Sequence, residues 1–246
     1  MALTEITNQH CLVEDCWLSD ILRYKVFRAV VPSVTQPISA DELSRHARLQ
    51  SRAMYYAKVD TSQVTVLKEL ESAGMNVVDV NIALSCDIRF QPLANRSTCI
   101  VKEATAADEG PITAMAGSCF RYSRFHLDPE LANETANQIK HNWVKSYFHG
   151  QRGDRLFVAW YEGVPAGFLA ALVTDEKAVV DLVGVDRRFQ RCGIGSSLME
   201  TFCKHYQNHC TALQVGTQVS NTPSLRFYRK FGFDISGSSY VLHMHV

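Results

Sequence analysis

The sequence lacks an excess of charge of either sign, because 25 lysine and arginine residues are matched by 25 aspartate and glutamate residues over 246 positions. A neutral chain creates no long-range field that would hold a polyanion. The charge balance therefore argues against nucleic acid or an anionic membrane as a partner. Any anion that the protein binds must be held by a local arrangement of donor groups.

The sequence also lacks the spacings that mark metal sites. Its 8 cysteines form no C-x-x-C pair and its 9 histidines show no ligand spacing, so we expect no metal and interpret the cysteines as free thiols in a reducing compartment. No window approaches ~18 apolar residues, and the start, MALTEITNQHCLVEDCW, contains no basic segment followed by an apolar run. These absences favour a cytoplasmic protein.

The composition is that of a folded protein, since 46% of the residues are hydrophobic and 10% are aromatic. The polar segment QPLANRSTC, from Gln91 to Cys99, separates two patterned regions and predicts domains 1–97 and 98–246. The first region predicts a small α/β domain. Its strand, two helices and second strand are expected at Tyr24–Val30, Ala40–Ala57, Thr61–Ala73 and Asn76–Leu84.

The second region mixes strands and helices. Apolar alternation predicts strands at Cys99–Ala104, Leu156–Tyr161, Pro165–Val173, Ala178–Val185, Thr211–Val219 and Phe233–Val246. Spacings of three and four predict helices at Ala106–Phe120, Leu131–Tyr147, around Leu198–Tyr206, and at Ser224–Phe231, the last with an N-cap from Thr222-Pro223.

A glycine loop joins the predicted strand Ala178–Val185 to the helix after it. The spacing Gln190-x-x-Gly193-x-Gly195 leaves the first N–H groups of that helix pointing outward, and glycine lets a phosphate approach the backbone. Arg191 adds positive charge, and Arg188 is a further candidate for this role. The loop lacks both the G-K-[ST] of a P-loop and the third glycine of a dinucleotide motif. We therefore predict that it binds the diphosphate of coenzyme A, the alternative being an ordinary strand-to-helix turn.

The runs VVDLVGVDRRFQRCGIGSSLM and NTPSLRFYRKFGF resemble the acetyl-CoA-binding core of the GNAT superfamily of N-acetyltransferases. The resemblance covers residues 98–246. It implies an α/β fold in which a mixed, splayed central β-sheet is flanked by helices, with the first region as an additional small N-terminal α/β domain.

The same resemblance implies roles for individual residues. The strand at Val183 and Val185 would bind the pantetheine arm, Asn221 would contact the cofactor, and Tyr228 would stand near the thioester sulfur. The pyrophosphate would be held by Gln190, Arg191, Cys192, Gly193, Ile194, Gly195 and Ser196.

Direct acetyl transfer needs a proton for the departing thiolate, a donor to the thioester carbonyl, and a neutral amine. Tyr228 is the predicted proton donor, and packing as an ordinary helix aromatic is its alternative role. A backbone N–H at Val183 or Val185 is the predicted carbonyl donor. Asp181, which strand alternation places on the face of those two valines, and Asp79 are the candidate bases. A surface hydrogen bond is the alternative for each.

A narrower resemblance concerns GSCFRYSRFHLDPE, VGTQVSNTPSLRFYRKFGF and YYAKVDTSQVTVLKELESAGMNVVDVNIAL, which are similar to the family of TDP-fucosamine acetyltransferase. It implies an acceptor that is a nucleotide-linked amino sugar, such as dTDP-4-amino-4,6-dideoxy-D-galactose, and a homodimer. Arginine recognises phosphate bidentately, so Arg121 and Arg124 are candidates to hold the sugar nucleotide, with a solvated helix end as their alternative role.

Three other functions are alternatives to this one. A GNAT enzyme that acetylates a polyamine, an antibiotic or a peptide N-terminus would call for an acidic cleft, whereas the segment from Arg121 to Phe125 is basic. A non-catalytic acyl-CoA sensor would have lost its proton donor, yet Tyr228 is present. A purely structural interaction protein would leave the glycine loop without a reason.

Overall fold

The computed structural model describes residues 12–31, 39–87 and 99–246. The chain divides into two compact units. Unit 1 comprises residues 1–81, Leu127–Glu130 and Ser238–Val246, and unit 2 comprises Ile82–His126 and Leu131–Gly237. The predicted boundary segment lies almost wholly outside the described residues. In the part of the chain that the structure describes, no helix is long and apolar enough to span a membrane.

Unit 1 is built on a mixed β-sheet. β1 (Leu12–Glu14) is antiparallel to β2 (Lys25–Ala29), which lies parallel to β3 (Ala53–Asp60). β3 pairs in antiparallel fashion with the last part of β10 (Asp234–His245). This pairing, which sets His245 opposite Met54, explains why the end of the chain belongs to unit 1.

Three helices complete unit 1, namely α1 (Cys16–Leu22), α2 (Ala40–Arg48) and α3 (Val64–Ser72). α2 begins with a capping box, because the Ser39 hydroxyl accepts from the Glu42 N–H while the Glu42 carboxylate accepts from Ser39. The core of unit 1 consists of apolar side chains from α2, α3, β3 and β10. They include Leu43, Ala47, Leu70, Tyr55, Ala57, Val59 and Leu242.

One expected helix of unit 1 is wrong over its second half. The helix predicted for Ala40–Ala57 ends at Arg48, and β3 begins at Ala53. β3 pairs with another strand along each edge, and its first residues, AMYYA, are nearly all buried, so both of its faces are covered there. A continuous apolar run of this length does not show the period of two that distinguishes a strand from a buried helix.

In unit 2, five strands follow one another across the sheet in the order β9-β8-β7-β6-β5. The pairs β5–β6, β6–β7 and β7–β8 are antiparallel, whereas β8 and β9 are parallel. The strands are β5 (Ile100–Glu103), β6 (Arg155–Tyr161), β7 (Val164–Thr174), β8 (Lys177–Val185) and β9 (Ala212–Gln218). Along the chain, β4 (Asn76–Asp87) leads from unit 1 into unit 2.

Helices cover both faces of the unit 2 sheet. On one face Ala116 and Val144, from α4 (Glu109–Cys119) and α6 (Asn133–Phe148), share a core with Leu182 of β8. On the other face α7 (Ile194–Tyr206) packs so closely on β7 that a Cβ on Gly167 would lie 2.9 Å from the side chain of Ile194. The remaining helices are α5 (Arg124–Leu127) and α8 (Thr222–Arg229).

The α/β class and the mixed sheet flanked by helices are thus confirmed. The elements of unit 2 start and end within about three residues of their predicted bounds. α5 was not predicted, and the N-cap of α8 is Asn221, whose side chain accepts from the Ser224 N–H, rather than Thr222. Asparagine is among the strongest N-cap residues, so the N-cap lies one residue earlier than expected and the helix begins two residues earlier.

Candidate active site

Strands β8 and β9 pair over only part of their length. Their register runs from Lys177 opposite Ala212 to Val180 opposite Val215. β8 continues to Val185 and β9 to Gln218. The two parallel strands therefore separate after their fourth pair, and a gap opens in unit 2 between their carboxyl ends.

The backbone of β8 presents donors to this gap. The Asp186 N–H donates to the Ala166 carbonyl, at 2.9 Å, on the side of β7. Successive N–H groups along a strand point to alternate sides. The N–H groups of Val183 and Val185 therefore point away from β7, toward the gap. This is the orientation that the sequence interpretation required of them.

A β-bulge in β8 changes the direction of Asp181. The register shifts so that Ala170 pairs with Leu182 and Ala171 pairs with Val180, which leaves Asp181 as the extra residue. Its carboxylate contacts α6, on the face of the sheet opposite to α7. The expectation that Asp181 shares a face with Val183 and Val185 is therefore wrong, because a bulge breaks the alternation of side chains.

The Asp181 carboxylate is fully engaged in hydrogen bonds. It accepts from the indole N–H of Trp143 and the hydroxyl of Tyr147, each at 2.7 Å, and from two nitrogens of Arg152 at 2.7 and 2.9 Å. Burial raises the pKa of Asp181, but the hydrogen bonds and charge of Arg152, with those of Trp143 and Tyr147, outweigh it and hold the pKa below its usual range. Such a carboxylate is a weak base and fixes α6 to β8.

The glycine loop ends β8 and begins α7 in the expected way. Gly193 is the N-cap of α7 and has a φ of 80°, a left-handed conformation that favours glycine. Its carbonyl accepts the first helical hydrogen bond, from Ser197 at 3.0 Å. The N–H groups of residues 194–196 therefore have no carbonyl partner within the helix, and no acidic side chain stands in its first turn. This end of the helix suits an anion.

Gly195 brings three parts of the candidate site together. A Cβ built on it would lie 3.5 Å from the ring of Phe227 and 3.8 Å from the side chain of Val185. The first turn of α7 is thus in contact range of α8 and of the end of β8. These are ordinary contact distances, so packing within the protein does not require glycine here. Close approach of a ligand to the backbone explains it better.

The charged residues of the loop differ in their availability. The Arg188 guanidinium is held by the Asp186 carboxylate, with a shortest distance of 2.8 Å. Arg187 donates to the carbonyl of Ser118 at 2.9 Å. Arg191 is exposed and adopts a φ of 69°. Among the described residues, Arg191 is therefore the arginine of this loop whose guanidinium makes no hydrogen bond or ion pair.

Tyr228 occupies the inner face of α8. It is 4% exposed, and its ring packs against those of Phe227 and Phe233, with centroids 5.4 and 6.0 Å away. Burial raises the pKa of Tyr228 above its ordinary value near 10, so the phenol keeps its proton at neutral pH. Its hydroxyl makes no hydrogen bond within the described residues.

The other predicted residues stand in varied surroundings. Asn221 caps α8 and donates to the Thr217 hydroxyl at 3.2 Å. Asp79 is buried in the part of β4 that belongs to unit 1. Arg121 is exposed, and the Arg124 guanidinium lies 4.6 Å from the centre of the Phe125 ring. Cys192 is exposed in the loop.

Sequence reasoning missed two groups of polar side chains. In unit 2, the Ser123 hydroxyl lies 2.6 Å from Nδ1 of His126, whose Nε2 lies 3.0 Å from the side-chain oxygen of Asn137. The spacing of Ser123 and His126 is visible in the sequence. Asn137 follows on a different helix, and no local pattern connects it to them.

The second group lies in unit 1. One oxygen of Asp128 accepts from Nδ1 of His243 at 2.6 Å and from Nε2 of His245 at 2.8 Å. Two ligands of a tetrahedral zinc ion lie about 3.3 Å apart, so these shorter distances are those of hydrogen bonds. The sequence places His243 and His245 on one side of the last strand, but it gives no sign of Asp128.

Comparison with known proteins identifies the type of domain. Residues 112–233 match the acetyltransferase (GNAT) family. The spore coat polysaccharide biosynthesis protein SpsD of Bacillus subtilis strain 168 is 30% identical over 139 residues, which are 56% of this chain and 47% of that protein. The chain therefore spans about half the length of this relative.

A second relative is similar over more of its length. The dTDP-fucosamine acetyltransferase of Escherichia coli O6:H1 is 24% identical over 213 residues, which are 84% of this chain and 85% of that protein. Among solved structures, a GCN5-related N-acetyltransferase from Kribbella flavida has a similar fold, with a TM-score of 0.60 at 16% identity and coverage of 89% and 81% of the two chains. The chain carries an acetyltransferase domain of the GNAT family.

Proposed function

We propose that this protein transfers an acetyl group from acetyl-CoA to the amine of a nucleotide-linked amino sugar. The observation that carries the proposal is the gap between β8 and β9. It is lined by the N–H groups of Val183 and Val185, it adjoins the N-terminus of α7 through Val185 and Gly195, and Tyr228 follows on α8. A binder of acyl-CoA needs the first two features, whereas a transferase also needs the third.

The residues present fit coenzyme A. The N–H groups of residues 194–196 and the exposed Arg191 suit a diphosphate, and the lack of a side chain at Gly195 allows it to reach the backbone. The N–H groups of Val183 and Val185 suit the amides of the pantetheine arm or the thioester carbonyl. When bound, acetyl-CoA supplies an activated acetyl group. Asn221 remains a candidate contact, although its amide already caps α8.

Tyr228 is the proposed proton donor. A departing thiolate takes a proton most easily from a group that is protonated at neutral pH and held close by. Burial keeps the Tyr228 phenol protonated, and its hydroxyl is not engaged by another described residue. By contrast, Asp181 is engaged by four hydrogen bonds and is a poor candidate for the base.

The acceptor is inferred from the relatives and from charge. One relative is named for spore coat polysaccharide biosynthesis and the other for acetylation of dTDP-fucosamine. Arg121 is exposed in the loop between α4 and α5, and Arg124 begins α5. These guanidinium groups would bind the diphosphate of a sugar nucleotide. The remaining proposals are a homodimer, which follows from the family resemblance, and a cytoplasmic location, which fits the free thiols of the described cysteines.

A free-thiol release assay with acetyl-CoA tests the proposal. The panel of acceptors would contain dTDP- and UDP-linked amino sugars, the same amino sugars without nucleotide, polyamines, aminoglycosides and peptides. We expect turnover of a nucleotide amino sugar and at least tenfold lower kcat/KM for the sugar without its nucleotide. If only another amine were turned over, the proposal of acetyl transfer would stand and the nucleotide amino sugar would be rejected as the acceptor. If no acceptor in the panel gave thiol release, both parts of the proposal would be rejected.

A further inference from the structure

The proposed reaction still requires a group that receives the proton of the acceptor amine. The two aspartates that the sequence suggested do not provide it within unit 2, since Asp181 is bound by Arg152 and Asp79 belongs to unit 1. A base in unit 2 must be neutral at working pH, must reach the end of β8, and must have a partner that stabilises it once protonated. The group formed by Ser123, His126 and Asn137 meets these requirements.

This group is held at the same end of β8 as the gap. The carbonyl of Ser118, near the end of α4, accepts from Arg187, which follows β8. A Cβ on Gly184 would lie 2.7 Å from the sulfur of Cys119, so the end of α4 touches β8 one residue beyond Val183. Ser123 follows four residues later. The loop that carries Ser123 therefore begins beside the carboxyl end of β8, which lines the gap.

The loop is also fixed to α6. Lys140 is buried, and its Nζ lies 5.2 Å from the ring centre of Phe120, 5.9 Å from that of Phe125, and 4.5 Å from that of Trp143. Phe120 and Phe125 flank Ser123 in the sequence, so both ends of the loop pack on one side chain of α6. The Ser123 hydroxyl is consequently held by a packed framework rather than by a free loop.

The hydrogen bonds of the group run in one direction. The side-chain oxygen of Asn137 is an acceptor, so Nε2 of His126 carries a proton and donates to it at 3.0 Å. In the neutral imidazole, Nδ1 is then an acceptor, and the Ser123 hydroxyl donates to it at 2.6 Å. The serine oxygen is left with lone pairs that can accept from a ligand. The Ser123 hydroxyl can thus accept a proton from a ligand while it donates its own proton to Nδ1 of the neutral His126.

We propose that Ser123, His126 and Asn137 form a proton relay that receives the proton of the acceptor amine during acetyl transfer, with the Ser123 oxygen as the atom that touches the amine. This inference rests on the proposed function. As the amine nitrogen bonds to the acetyl carbon and the C–S bond breaks, the N–H proton passes to the oxygen of Ser123. The hydroxyl proton of Ser123 passes to Nδ1 of His126, and Tyr228 protonates the thiolate. His126 then loses a proton to solvent, and Tyr228 regains one.

The charges around His126 support its role as a base. Burial lowers the pKa of His126 below its ordinary value near 6.5, and the positive charge of Lys140 on α6 lowers it further, against the opposing effect of Asn137. On the same helix as His126, the guanidinium of Arg124 lies over the Phe125 ring. His126 is therefore neutral at pH 7. Its imidazolium form is stabilised by the Asn137 oxygen when the proton arrives.

Three substitutions test the relay with the full-length protein. His126→Gln retains an amide N–H that can donate to Asn137 but has no titratable nitrogen, and Ser123→Ala removes the hydroxyl. We expect each to lower kcat by 10²- to 10⁴-fold, while the Kd of acetyl-CoA from calorimetry stays within twofold. Ser123→Thr restores a hydroxyl and should restore most of the rate. His149→Gln, an exposed histidine at the end of α6, is the control.

Asn137→Asp separates a base from a purely structural group. A carboxylate next to Nε2 raises the pKa of His126, by about one or more units. We expect the acidic limb of the kcat/KM profile to move to higher pH by the same amount. The pKa of His126 in the free protein is measured independently by NMR titration of the imidazole, with its signal assigned by the loss in His126→Gln.

The outcomes distinguish the relay from the proposed function. Wild-type turnover with unchanged kcat in His126→Gln would overturn the relay and leave acetyl transfer intact. An acidic limb that stays fixed in Asn137→Asp, while the NMR pKa moves, would assign that limb to the amine and would also overturn the relay. If the wild-type protein turned over an amine other than a sugar nucleotide, the acceptor would be revised and the same profiles would be recorded with that amine.

Discussion

Tyr228→Phe is the sharpest test of the proposed chemistry, because the change removes one oxygen atom from a buried ring. The hydroxyl makes no hydrogen bond within the described residues, so its loss leaves no partner unsatisfied. The packing of the ring against Phe227 and Phe233 is retained. We therefore expect the free energy of unfolding to change by less than about 0.5 kcal/mol. The variant should fold and bind acetyl-CoA as the wild-type protein does.

The rate should fall much more. Loss of a general acid typically costs about 10²- to 10⁴-fold, which corresponds to about 3–5 kcal/mol of transition-state stabilisation at 1.36 kcal/mol per factor of ten. Since the phenol touches the sulfur only as the thiolate forms, kcat and kcat/KM should decrease together. Stopped-flow thiol release at saturating acetyl-CoA and amine measures the chemical step, and urea unfolding measures stability.

Tyr206→Phe is the matched control. Tyr206 is also a buried tyrosine of unit 2, but its hydroxyl donates to the carboxylate of Asp154. We expect that control to lose about 1 kcal/mol or more of stability, as hydrogen bonds to charged groups do, and to keep its kcat. Equal turnover in Tyr228→Phe and wild-type protein would remove Tyr228 from the mechanism. A comparable loss of kcat in both variants would show that the effect comes from packing.

Three further predictions concern binding and stability. Gly195→Val should weaken acetyl-CoA binding by at least tenfold in calorimetry, because a side chain would fill the approach to the α7 backbone, whereas Gly110→Val, where a Cβ meets no atom within 4 Å, should not. Asp181→Asn should lower stability at pH 7, because a carboxyl with a depressed pKa stabilises the fold above its unfolded pKa. That contribution is lost as the pH falls, so the variant should lose less stability below about pH 4 than the wild-type protein does. Lys140→Met should raise stability at pH 7, because burial of the charged amine lowers the pKa of Lys140 to about 8. The wild-type amine loses its proton more easily in the folded state, so wild-type stability should rise between about pH 8 and 10.4, by up to about 3 kcal/mol. Urea unfolding of the variant should lack this rise.

The sequence was most informative where local and tertiary signals agree. β8, the glycine loop and α7 were predicted closely, because alternating burial, a left-handed glycine and an amphipathic helix each depend on neighbours in sequence. β3 was misassigned because both of its faces are buried, so its first residues are nearly all apolar and the period of two is hidden. The chain partners that cover a strand are a tertiary property, so periodicity alone could not reveal them.

The site shows the same division. Gly193 and Gly195 are conspicuous in the sequence because few residues tolerate a left-handed backbone or leave space for a ligand. The bulge at Asp181 does not alter the apolar pattern of β8 in the sequence, so nothing in the sequence shows that this side chain faces α6. His126 was overlooked for a related reason, since its partner Asn137 lies on another helix and meets it only in the folded protein.

The bulge has a consequence for catalysis that can be measured. If the proton of the amine goes to the relay, His126→Gln should abolish the acidic limb of the kcat/KM profile, whereas Asp79→Asn should leave its position unchanged. If Asp79 is the base, the reverse should hold. Combining His126→Gln with Asp79→Asn shows whether the two residues serve the same proton transfer. If they do, the losses of transition-state stabilisation in the two single variants do not add in the double variant. Asp181→Asn should leave the position of the limb unchanged in either case, since its carboxylate is committed to Arg152, Trp143 and Tyr147.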